Sequence, residues 1–292
     1  MDIFGEELRE HCPLDKNCNW QFLYNSEYNY YDLPIYKCKN CGLQSIFPKD
    51  KYDLRTMYEA SYYQGTAAYS YIDERKNEKY ESYVWDARLK NILKFKPEGR
   101  FLDIGSSFGG FLNRAKNKGY EAYGVEISSY SAKYANERGI PTFKGSILQA
   151  NFPEKSFDII TLIEVIEHLD KPDLVFQKLS SILNDDGLLI IQTANFDGKQ
   201  AIDEAAKYHY YLPGHLYYYS LSNLQQILIQ NGFKKFIPYY GVDFPLMAKL
   251  LKSRGSFKSV FEYWKWVRIS YFHFKSKFFK GSTSSLVLYA FK

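Results

Sequence analysis

The sequence has no apolar run that approaches the roughly 20 residues required for a membrane-spanning helix. Its opening residues, MDIFGEELREHC, lack the basic stretch followed by an apolar stretch that marks a secretory signal peptide. Cysteine is scarce, with four residues among 292, and none lies beyond Cys41. These absences argue against an integral membrane protein and against a secreted domain cross-linked by disulfide bonds along its length. We therefore expect a cytoplasmic protein.

Acidic residues are almost missing from one segment near the C-terminal end. Residues 249–280 contain nine Lys or Arg and a single acid, Glu262, although the whole chain has a net charge of only +5. Apolar residues of this segment recur at a helical spacing, at Phe257, Val260, Phe261, Trp264, Val267, Tyr271, Phe274 and Phe278. Three alternatives follow. A helix packs this aromatic face on the protein, the segment contacts an anionic membrane or a lipid-linked phosphate, or it binds nucleic acid.

The four cysteines cluster near the N-terminal end, at Cys12, Cys18, Cys38 and Cys41. The sequence CKNCG has the two-residue spacing of a zinc-ribbon knuckle, whereas CPLDKNC has five intervening residues. Thiols stay reduced in the cytoplasm, so we expect a zinc ion on all four or, alternatively, buried free thiols rather than a disulfide bond. Four thiolates leave no open coordination position, so the zinc would be structural and would stabilise a small module over residues 1–55.

Predicted strands and helices alternate from about residue 88 onwards. Strands are predicted at residues 100–104, 121–125, 142–144, 156–163, 188–193, 234–240 and 284–291, and helices at 111–118, 129–138 and 173–183. Strands separated by helices of this length form a parallel sheet through right-handed crossovers, with helices on both faces. The sequence therefore predicts an α/β fold.

A glycine-rich loop, DIGSSFGG, follows the first of these strands. Gly105 permits a close approach of the backbone to a ligand, and Gly109 and Gly110 let the next helix start tightly against it. Glu126 ends the second strand 23 residues after Asp103, where an acid can accept hydrogen bonds from two ribose hydroxyls. The combination predicts that an adenosine-type ligand lies over the carboxyl ends of these strands.

The motifs FLDIGSSFGGF and VEIS resemble those of class I S-adenosylmethionine-dependent methyltransferases, not the GxGxxG of NAD enzymes. FPEKSFDIITLIEVIEHLDKP and LNDDGLLIIQTAN resemble the next motifs of that family, so the resemblance covers about residues 98–240. It implies a Rossmann-like sheet of seven strands, six parallel and one antiparallel. The preceding segment, YKCKNCGLQSIFPKDKYDLRTMYEASYYQG, resembles a subgroup with a zinc-binding module ahead of the methyltransferase domain.

The domain organisation follows from these resemblances. We expect a four-cysteine, zinc-ribbon-like module at 1–55, a helical linker or cap at 56–97, and a methyltransferase domain at 98–292. The methyltransferase domain would contain the basic aromatic segment as a helical insertion at about 245–281. S-adenosyl-L-methionine is the cofactor that the resemblance implies.

The resemblance also assigns cofactor-binding positions, namely Asp103, Gly105, Ser106, Gly109, Glu126, Ile127, Ser146, Ile147 and Glu164. The first strand and its loop would border the methionine part of the cofactor. Glu126 would bind the ribose hydroxyls, and Glu164 would lie close to the methyl group that is transferred. Ser146 and Ile147 would border the adenine. Family members often carry Asp at the position of Ser146, so the adenine contact would be weaker or shifted here.

A cluster of acids and histidines follows the strand at 156–163, at Glu164, Glu167 and His168, and His215 lies further along in HYYLPGHLYYYSLSNL. Helical continuation would place the first three on adjoining faces. In one alternative His168 or His215 is the general base for an acceptor hydroxyl. In a second, all four residues bind a divalent cation, a pattern similar to that of ubiquinone-pathway O-methyltransferases and small-RNA 2′-O-methyltransferases. In a third, the cluster is structural.

The function that these inferences favour is O-methylation of a small molecule or sugar, such as a surface glycan or a secondary metabolite, with Glu164, His168 and His215 as catalytic candidates. A nucleic-acid partner is disfavoured but stays open. The alternatives are therefore an RNA methyltransferase and a non-catalytic binding or scaffold protein that has kept the fold.

Overall fold

The computed structural model describes residues 11–28, 32–49, 73–279, 281 and 283–292. Within these ranges, the strands are β1 (Trp20–Asn25), β2 (Pro34–Cys38), β3 (Gln44–Ile46), β4 (Arg100–Ile104), β5 (Glu121–Glu126), β6 (Thr142–Lys144), β7 (Phe157–Ile163), β8 (Leu183–Ala194), β9 (Tyr217–Tyr218), β10 (Lys235–Tyr240) and β11 (Ser285–Phe291). The α-helices are α1 (Glu78–Ile92), α2 (Gly110–Asn117), α3 (Ser129–Glu137), α4 (Pro172–Ile182), α5 (Lys199–Glu204), α6 (Leu221–Gln230), α7 (Leu246–Ser253) and α8 (Lys265–Phe278).

A seven-stranded sheet carries most of the fold, with the strand order β10-β11-β8-β7-β4-β5-β6. Neighbouring strands from β8 to β6 are parallel, and β11 is antiparallel to both β8 and β10. The prediction of six parallel strands and one antiparallel strand is therefore confirmed. The chain progresses outwards from β4 to β6, then returns to β7 on the other side. This reversal opens a crevice at the carboxyl ends of β4 and β7, where open α/β sheets bind ligands.

The central strands are apolar along most of their length because both faces of the sheet are covered. Successive side chains point to opposite faces, so Phe101 packs in one hydrophobic core and Leu102 in the other. The same alternation separates Ile159 from Ile160 in β7. Burial on both faces fixes the register of these strands and holds their carboxyl ends in one line.

The element boundaries follow the predicted ones closely. α2, α3 and α4 each lie within one residue of the predicted helices at both ends. β8 differs because it begins at Leu183 and not at residue 188. Leu183 pairs with Phe157 before a register shift, so the turn-like sequence that follows is absorbed into the strand.

A second sheet of four strands, β1-β2-β3-β9, contains the N-terminal cysteines at its edge. Its fourth strand comes from the distant segment that carries His215, and Ser45 pairs with Tyr217. Two side-chain hydrogen bonds strengthen this joint, from Ser45 Oγ to Leu216 O at 2.8 Å and from Asn223 Nδ2 to Cys41 O at 2.8 Å. The cysteine segment is thus tied to the rest of the fold, and its predicted boundary near residue 55 lies outside the described residues.

The basic segment forms α7, two 3-10 helices (Arg254–Ser256 and Val260–Trp264) and α8 between β10 and β11. Seven of its eight predicted stripe residues are exposed, with exposed fractions from 49% for Phe274 to 84% for Phe261. The alternative in which this aromatic face packs over the protein is therefore wrong. In the ranges that the structure describes, no helix has both the length and the apolar character needed to cross a bilayer.

Candidate active site

The glycine loop leaves the carboxyl end of β4 in a conformation that favours glycine. Gly105 has a φ of +73°, and a Cβ atom there would lie 2.5 Å from Cγ2 of Val165. Gly109 has a φ of +75° and precedes the first residue of α2. Both positions lie in the left-handed region, which side chains other than glycine rarely adopt. The backbone of the loop therefore packs closely against Val165 and enters α2 without a side chain at Gly105 or Gly109.

Glu126 fixes the loop from the end of β5. Its two carboxylate oxygens accept hydrogen bonds from the backbone amides of Ser107 and Ser128, both at 2.8 Å. Burial raises the pKa of Glu126, and the two amide bonds act in the opposite direction. Each oxygen keeps a second lone pair, so the carboxylate can accept further donors from a bound ligand.

Asp103 lies beneath the same loop, where it accepts a hydrogen bond from Thr161 Oγ1 at 2.5 Å. Burial raises the pKa of Asp103 to about 7. The hydroxyls of Ser106 and Ser107 are buried and have no hydrogen-bond partner within the described ranges. Buried hydroxyls are rarely left unpaired, so these two mark the loop as an incomplete polar site.

Residues after β5 and β6 lie at the same carboxyl-end edge of the sheet as the glycine loop. Ile127 follows Glu126 and is half exposed, whereas Ile147 is buried after β6. Ser146 starts a tight turn, because its Oγ accepts a hydrogen bond from Leu148 N at 3.3 Å and its amide donates to Gln149 Oε1 at 3.0 Å. The predicted cofactor residues of these three strands therefore lie along one edge of the sheet.

Glu164 is the first residue after β7 and has a φ of +55°, an uncommon value for a residue with a Cβ atom. Its backbone amide donates to Gln192 O at 2.9 Å, and its Oε1 accepts from Gln192 Nε2 at 2.7 Å. Strained backbone of this kind persists where its surroundings hold it, and it concentrates at functional sites.

A buried ion pair supports Glu164 from behind. Arg88 in α1 contacts Asp243 with nitrogen–oxygen distances of 2.7 to 3.0 Å and also donates to Gln192 Oε1. Asp243 accepts a further hydrogen bond from Tyr289 OH at 2.7 Å. Neither charge is predictable from the sequence as part of the site, because 155 positions separate the two residues and no local spacing indicates their contact.

The histidines of the cluster are fixed by backbone carbonyls. His168 Nδ1 lies 2.8 Å from Gly214 O, and His215 Nδ1 lies 3.1 Å from Tyr210 O. In the tautomer that these contacts favour, Nδ1 carries the proton and Nε2 is the lone-pair atom of each ring. Burial lowers the pKa of both imidazoles, most strongly for His215, so both are neutral near pH 7.

Glu167 completes the cluster with the histidines. Its Oε2 accepts a hydrogen bond from Thr193 Oγ1 at 3.1 Å, whereas its buried Oε1 has no partner among the described residues. One donor atom each from Glu167, His168 and His215 lies within 4.8 Å of the others. Burial raises the pKa of Glu167 well above its usual range, and the nearby charge of Glu164 raises it further. The structure therefore brings all four predicted residues together.

The local backbone of this cluster differs from the expected helix. Ile166–His168 forms one 3-10 turn, and α4 begins only at Pro172. The backbone amide of Leu216 donates to Glu167 O at 2.7 Å, so the loop that carries His215 docks directly on this turn. A long-range contact, and not helical spacing, is what joins the two histidines.

The four cysteines also converge. The sulfur atoms of Cys18 and Cys38 are in direct contact as a disulfide pair, and Cys12 Sγ lies 3.4 Å from Cys41 Sγ. The backbone amide of Cys41 donates to Cys38 Sγ at 3.4 Å, as expected for a metal knuckle. Sulfur atoms of Cys12, Cys18 and Cys38 lie within 4.8 Å of one another.

Similarity to known proteins identifies the family of this chain. The sequence profile of a family described as a methyltransferase domain matches residues 77–236, more than half of the chain. The chain belongs to the class I S-adenosylmethionine-dependent methyltransferases. The methyltransferase therefore uses S-adenosyl-L-methionine, and its glycine loop and Glu126 lie where the family motifs predict cofactor contacts. The individual cofactor residues stay predictions.

Relatives of this methyltransferase act on different acceptors. A phosphoethanolamine N-methyltransferase from Plasmodium falciparum is 31% identical over 112 residues, which cover 36% of this chain and 42% of the relative. A ubiquinone biosynthesis O-methyltransferase from Glaesserella parasuis is 27% identical over 158 residues, which cover 44% of this chain and 67% of the relative. A phosphoethanolamine N-methyltransferase 2 from Haemonchus contortus, solved with S-adenosyl-L-methionine, covers 98% of this chain and 70% of its own at 19% identity and a TM-score of 0.56. The last likeness is one of fold.

Replacing Glu126 by Ala tests the cofactor site. We expect S-adenosylmethionine and S-adenosylhomocysteine to bind more weakly by about 1.5–3 kcal/mol, the range for hydrogen bonds to a charged group. Isothermal titration calorimetry measures this loss, and Glu121→Ala at the other end of β5 serves as the control. Thermal unfolding of both variants checks that each substitution leaves the protein folded. Equal affinity of Glu126→Ala and wild type would remove Glu126 from the ribose site.

Proposed function

We propose that the protein transfers the methyl group of S-adenosylmethionine to a hydroxyl oxygen of a small molecule or sugar. The observation that carries the proposal is the convergence of Glu167, His168 and His215 next to Glu164 at the carboxyl end of β7. In the transfer, the carbon–sulfur bond breaks as the carbon–oxygen bond forms, and the acceptor oxygen loses its proton. A site that stabilises or removes that proton is what an O-methyltransferase needs beyond positioning of its substrates.

The cluster has the composition of a divalent-cation site. The two neutral imidazoles have their Nδ1 atoms held by backbone carbonyls, and Thr193 orients the Glu167 carboxyl, which a bound cation would keep deprotonated. The unpaired buried Oε1 of Glu167 is an atom that a cation would satisfy. Glu167, His168 and His215 would hold the ion, with Glu164 alongside. A bound cation lowers the pKa of a coordinated hydroxyl.

The chain's own groups have separate tasks in this proposal. Gln192 holds the Glu164 carboxylate, and Arg88 of the Arg88–Asp243 pair holds Gln192, so Glu164 has a fixed orientation in which it would border the cofactor's methyl group. The glycine loop and Glu126 would bind the cofactor at the neighbouring strand ends. An O-methyltransferase of ubiquinone biosynthesis is among the relatives, as are phosphoethanolamine N-methyltransferases, so the choice of an oxygen acceptor rests on the cluster and not on the relatives.

We also propose a structural zinc ion on Cys12, Cys18, Cys38 and Cys41. The amide-to-sulfur contact inside the CKNCG knuckle supports it, as does the convergence of all four sulfurs at the edge of the small sheet. Bound zinc would stabilise a segment whose own apolar core is small. Pairing of Cys18 with Cys38 as a disulfide is the competing arrangement.

We also propose a partner for the exposed aromatic stripe. This stripe consists of Val260, Phe261, Trp264, Val267, Tyr271, Phe274 and Phe278. Single exposed apolar residues are ordinary, but a continuous patch of this kind marks an interaction surface. The charges of this segment are positive apart from Glu262, and Arg254 and Lys277 are both exposed, so the surface complements an anionic bilayer. We therefore propose that this face lies on anionic lipid, where a lipid-linked acceptor would be presented.

Chelation tests the proposed cation site. We expect EDTA to abolish methylation of a panel of hydroxyl acceptors while cofactor binding persists, and added Mg²⁺ or Mn²⁺ to restore it. Glu167→Gln, His168→Ala and His215→Ala should lower the rate by similar, non-additive factors, because each breaks one site. His11→Ala, which replaces an exposed histidine, is the control. Zinc content is measured in parallel, to show whether EDTA has also removed zinc from the cysteines.

Two other results would change this interpretation. Activity that resists EDTA and depends on one histidine by about 10²–10⁴-fold would indicate a general base without metal. Full activity of His168→Ala/His215→Ala on the true acceptor would show a structural cluster and contradict the proposal. Turnover of RNA, or cofactor binding without turnover of any acceptor, would favour the alternative functions.

Elemental analysis tests the zinc site. We expect about one zinc per chain in wild type, none in Cys38→Ser/Cys41→Ser, and a clear loss of thermal stability in that variant. Thiol titration in denaturant with chelator and without reductant discriminates the two arrangements, since zinc leaves four thiols and a disulfide leaves two. Metal-free protein with two titratable thiols would establish the disulfide instead.

Vesicle flotation tests the aromatic stripe. We expect binding to phosphatidylglycerol vesicles and not to phosphatidylcholine vesicles, with weakening as salt is raised because surface charges are screened. Phe261→Ser/Phe278→Ser should abolish flotation. Ile229→Ser removes another exposed apolar side chain, on α6, and should change nothing. Self-association that the same double substitution abolishes, in the absence of vesicle binding, would show that a second copy covers the stripe.

A further inference from the structure

A cavity of about 520 Å³ lies between α7, α8 and the adjoining ends of β10 and β11, outside the cluster described above. Three cationic side chains line it, those of Lys249, Lys265 and Arg268, together with His209 and His273. Its described lining contains no Asp or Glu. We infer that this cavity binds the phosphate group of a small-molecule ligand.

Lys249 is the most informative of the cations. It is half buried in α7, and among the described residues no carboxylate pairs with it. Lys252, one turn away, forms an ion pair with Glu81 at 2.8 Å, and Lys265 pairs with Glu262 at 3.2 Å. A cation removed from water without a counter-ion is costly, so natural proteins keep one where an anion binds.

Two neutral groups in the same cavity also lack partners. His273 is only 3% exposed, and its Nδ1 has no hydrogen bond within the described ranges. Thr283 Oγ1 is likewise buried and unpaired. Ser276, by contrast, already donates to His273 O at 2.7 Å. Both unpaired atoms belong to side chains that line the cavity, and each could donate a hydrogen bond to a ligand oxygen there.

The number of positive groups favours a phosphate over a carboxylate. A phosphate monoester carries a charge of about −1.5 to −2 and offers three strong acceptor oxygens. Its charge and its three acceptor oxygens match the cations and the unpaired neutral groups of the cavity, whereas a single carboxylate would leave positive charge uncompensated. The volume falls in the ordinary range for small-molecule sites, so the cavity has room for an organic group beyond the phosphate.

The cavity adjoins the segment that carries the proposed catalytic histidine. The Tyr210 side chain interacts with Ser284, which lines the cavity, and the Tyr210 carbonyl accepts the hydrogen bond of His215. If the proposed O-methylation is also right, the methyl acceptor is a phosphate-bearing molecule whose charged end occupies the cavity. This identification of the acceptor rests on the proposed function. The binding itself does not depend on methyl transfer.

Ligand-observed ³¹P NMR on the full chain, without cofactor or acceptor, tests the inference with inorganic phosphate, pyrophosphate and glycerol 3-phosphate. We expect Lys249→Gln and Arg268→Gln each to weaken binding about tenfold or more, the loss expected for a charged hydrogen bond. Lys258→Gln removes the same charge from an exposed position outside the cavity and should leave affinity within about twofold. Arg268 is itself exposed, so its replacement should fold, and circular dichroism checks this.

The outcomes separate cleanly. Binding that depends on Lys249 and Arg268 but not on Lys258 supports the site. The same dependence for phosphatidate vesicles alone also supports it, with a lipid head group as the source of the phosphate. Absence of binding to every phosphate probe, an equal loss in Lys258→Gln, or acetate binding as tightly as phosphate would overturn it. Failure here leaves the cation-dependent methyl transfer standing, and loss of that activity leaves phosphate binding measurable.

Discussion

The buried contact between Arg88 and Asp243 is the interaction on which the active-site edge depends. It joins α1 to the loop after β10, and through Gln192 it reaches Glu164, whose backbone is strained. Buried charges are tolerated only when their hydrogen bonds are made, and here Tyr289 supplies one more. Loss of either partner would leave an unpaired charge inside the protein, so the network holds one arrangement. Rigidity of this kind keeps a strained residue in place at a site of chemistry.

The parts of the fold that were predicted correctly from the sequence are those that local residue patterns determine. β4, β7 and the glycine loop are dictated by local rules, because apolar strands buried on both faces leave a plain pattern and left-handed turns select glycine. β9 was not predicted, since two residues pair across the chain with β3 and carry no pattern of their own. The exposure of the aromatic stripe was equally hidden, because helical spacing shows that residues share a face but not what that face contacts.

The candidate site shows the same division. The sequence spacing predicted that Glu164, Glu167 and His168 lie close together on a helix, which the chain does not form there. The three residues are still close neighbours, because a 3-10 turn also brings residues adjacent in sequence together. His215 joins them through the backbone bond between Leu216 and Glu167, which is a tertiary contact. The Arg88 network lay beyond any local rule. Local spacing therefore predicted that Glu164, Glu167 and His168 lie near one another, while the position of His215 depends on a long-range contact.

The helix α8 buries polar groups and exposes apolar ones, which is uncommon for a surface helix. His273 and Ser276 are buried beside the cavity, where Ile269 and Phe272 also line the wall, whereas Val267, Tyr271 and Phe278 are exposed. Both features are unfavourable in water, since apolar area is exposed and polar groups are buried. In the proposals above, a polar ligand inside and a lipid surface outside would remove both costs. One insertion between β10 and β11 would thus bring the methyl-transfer site to a membrane and receive an anionic acceptor there.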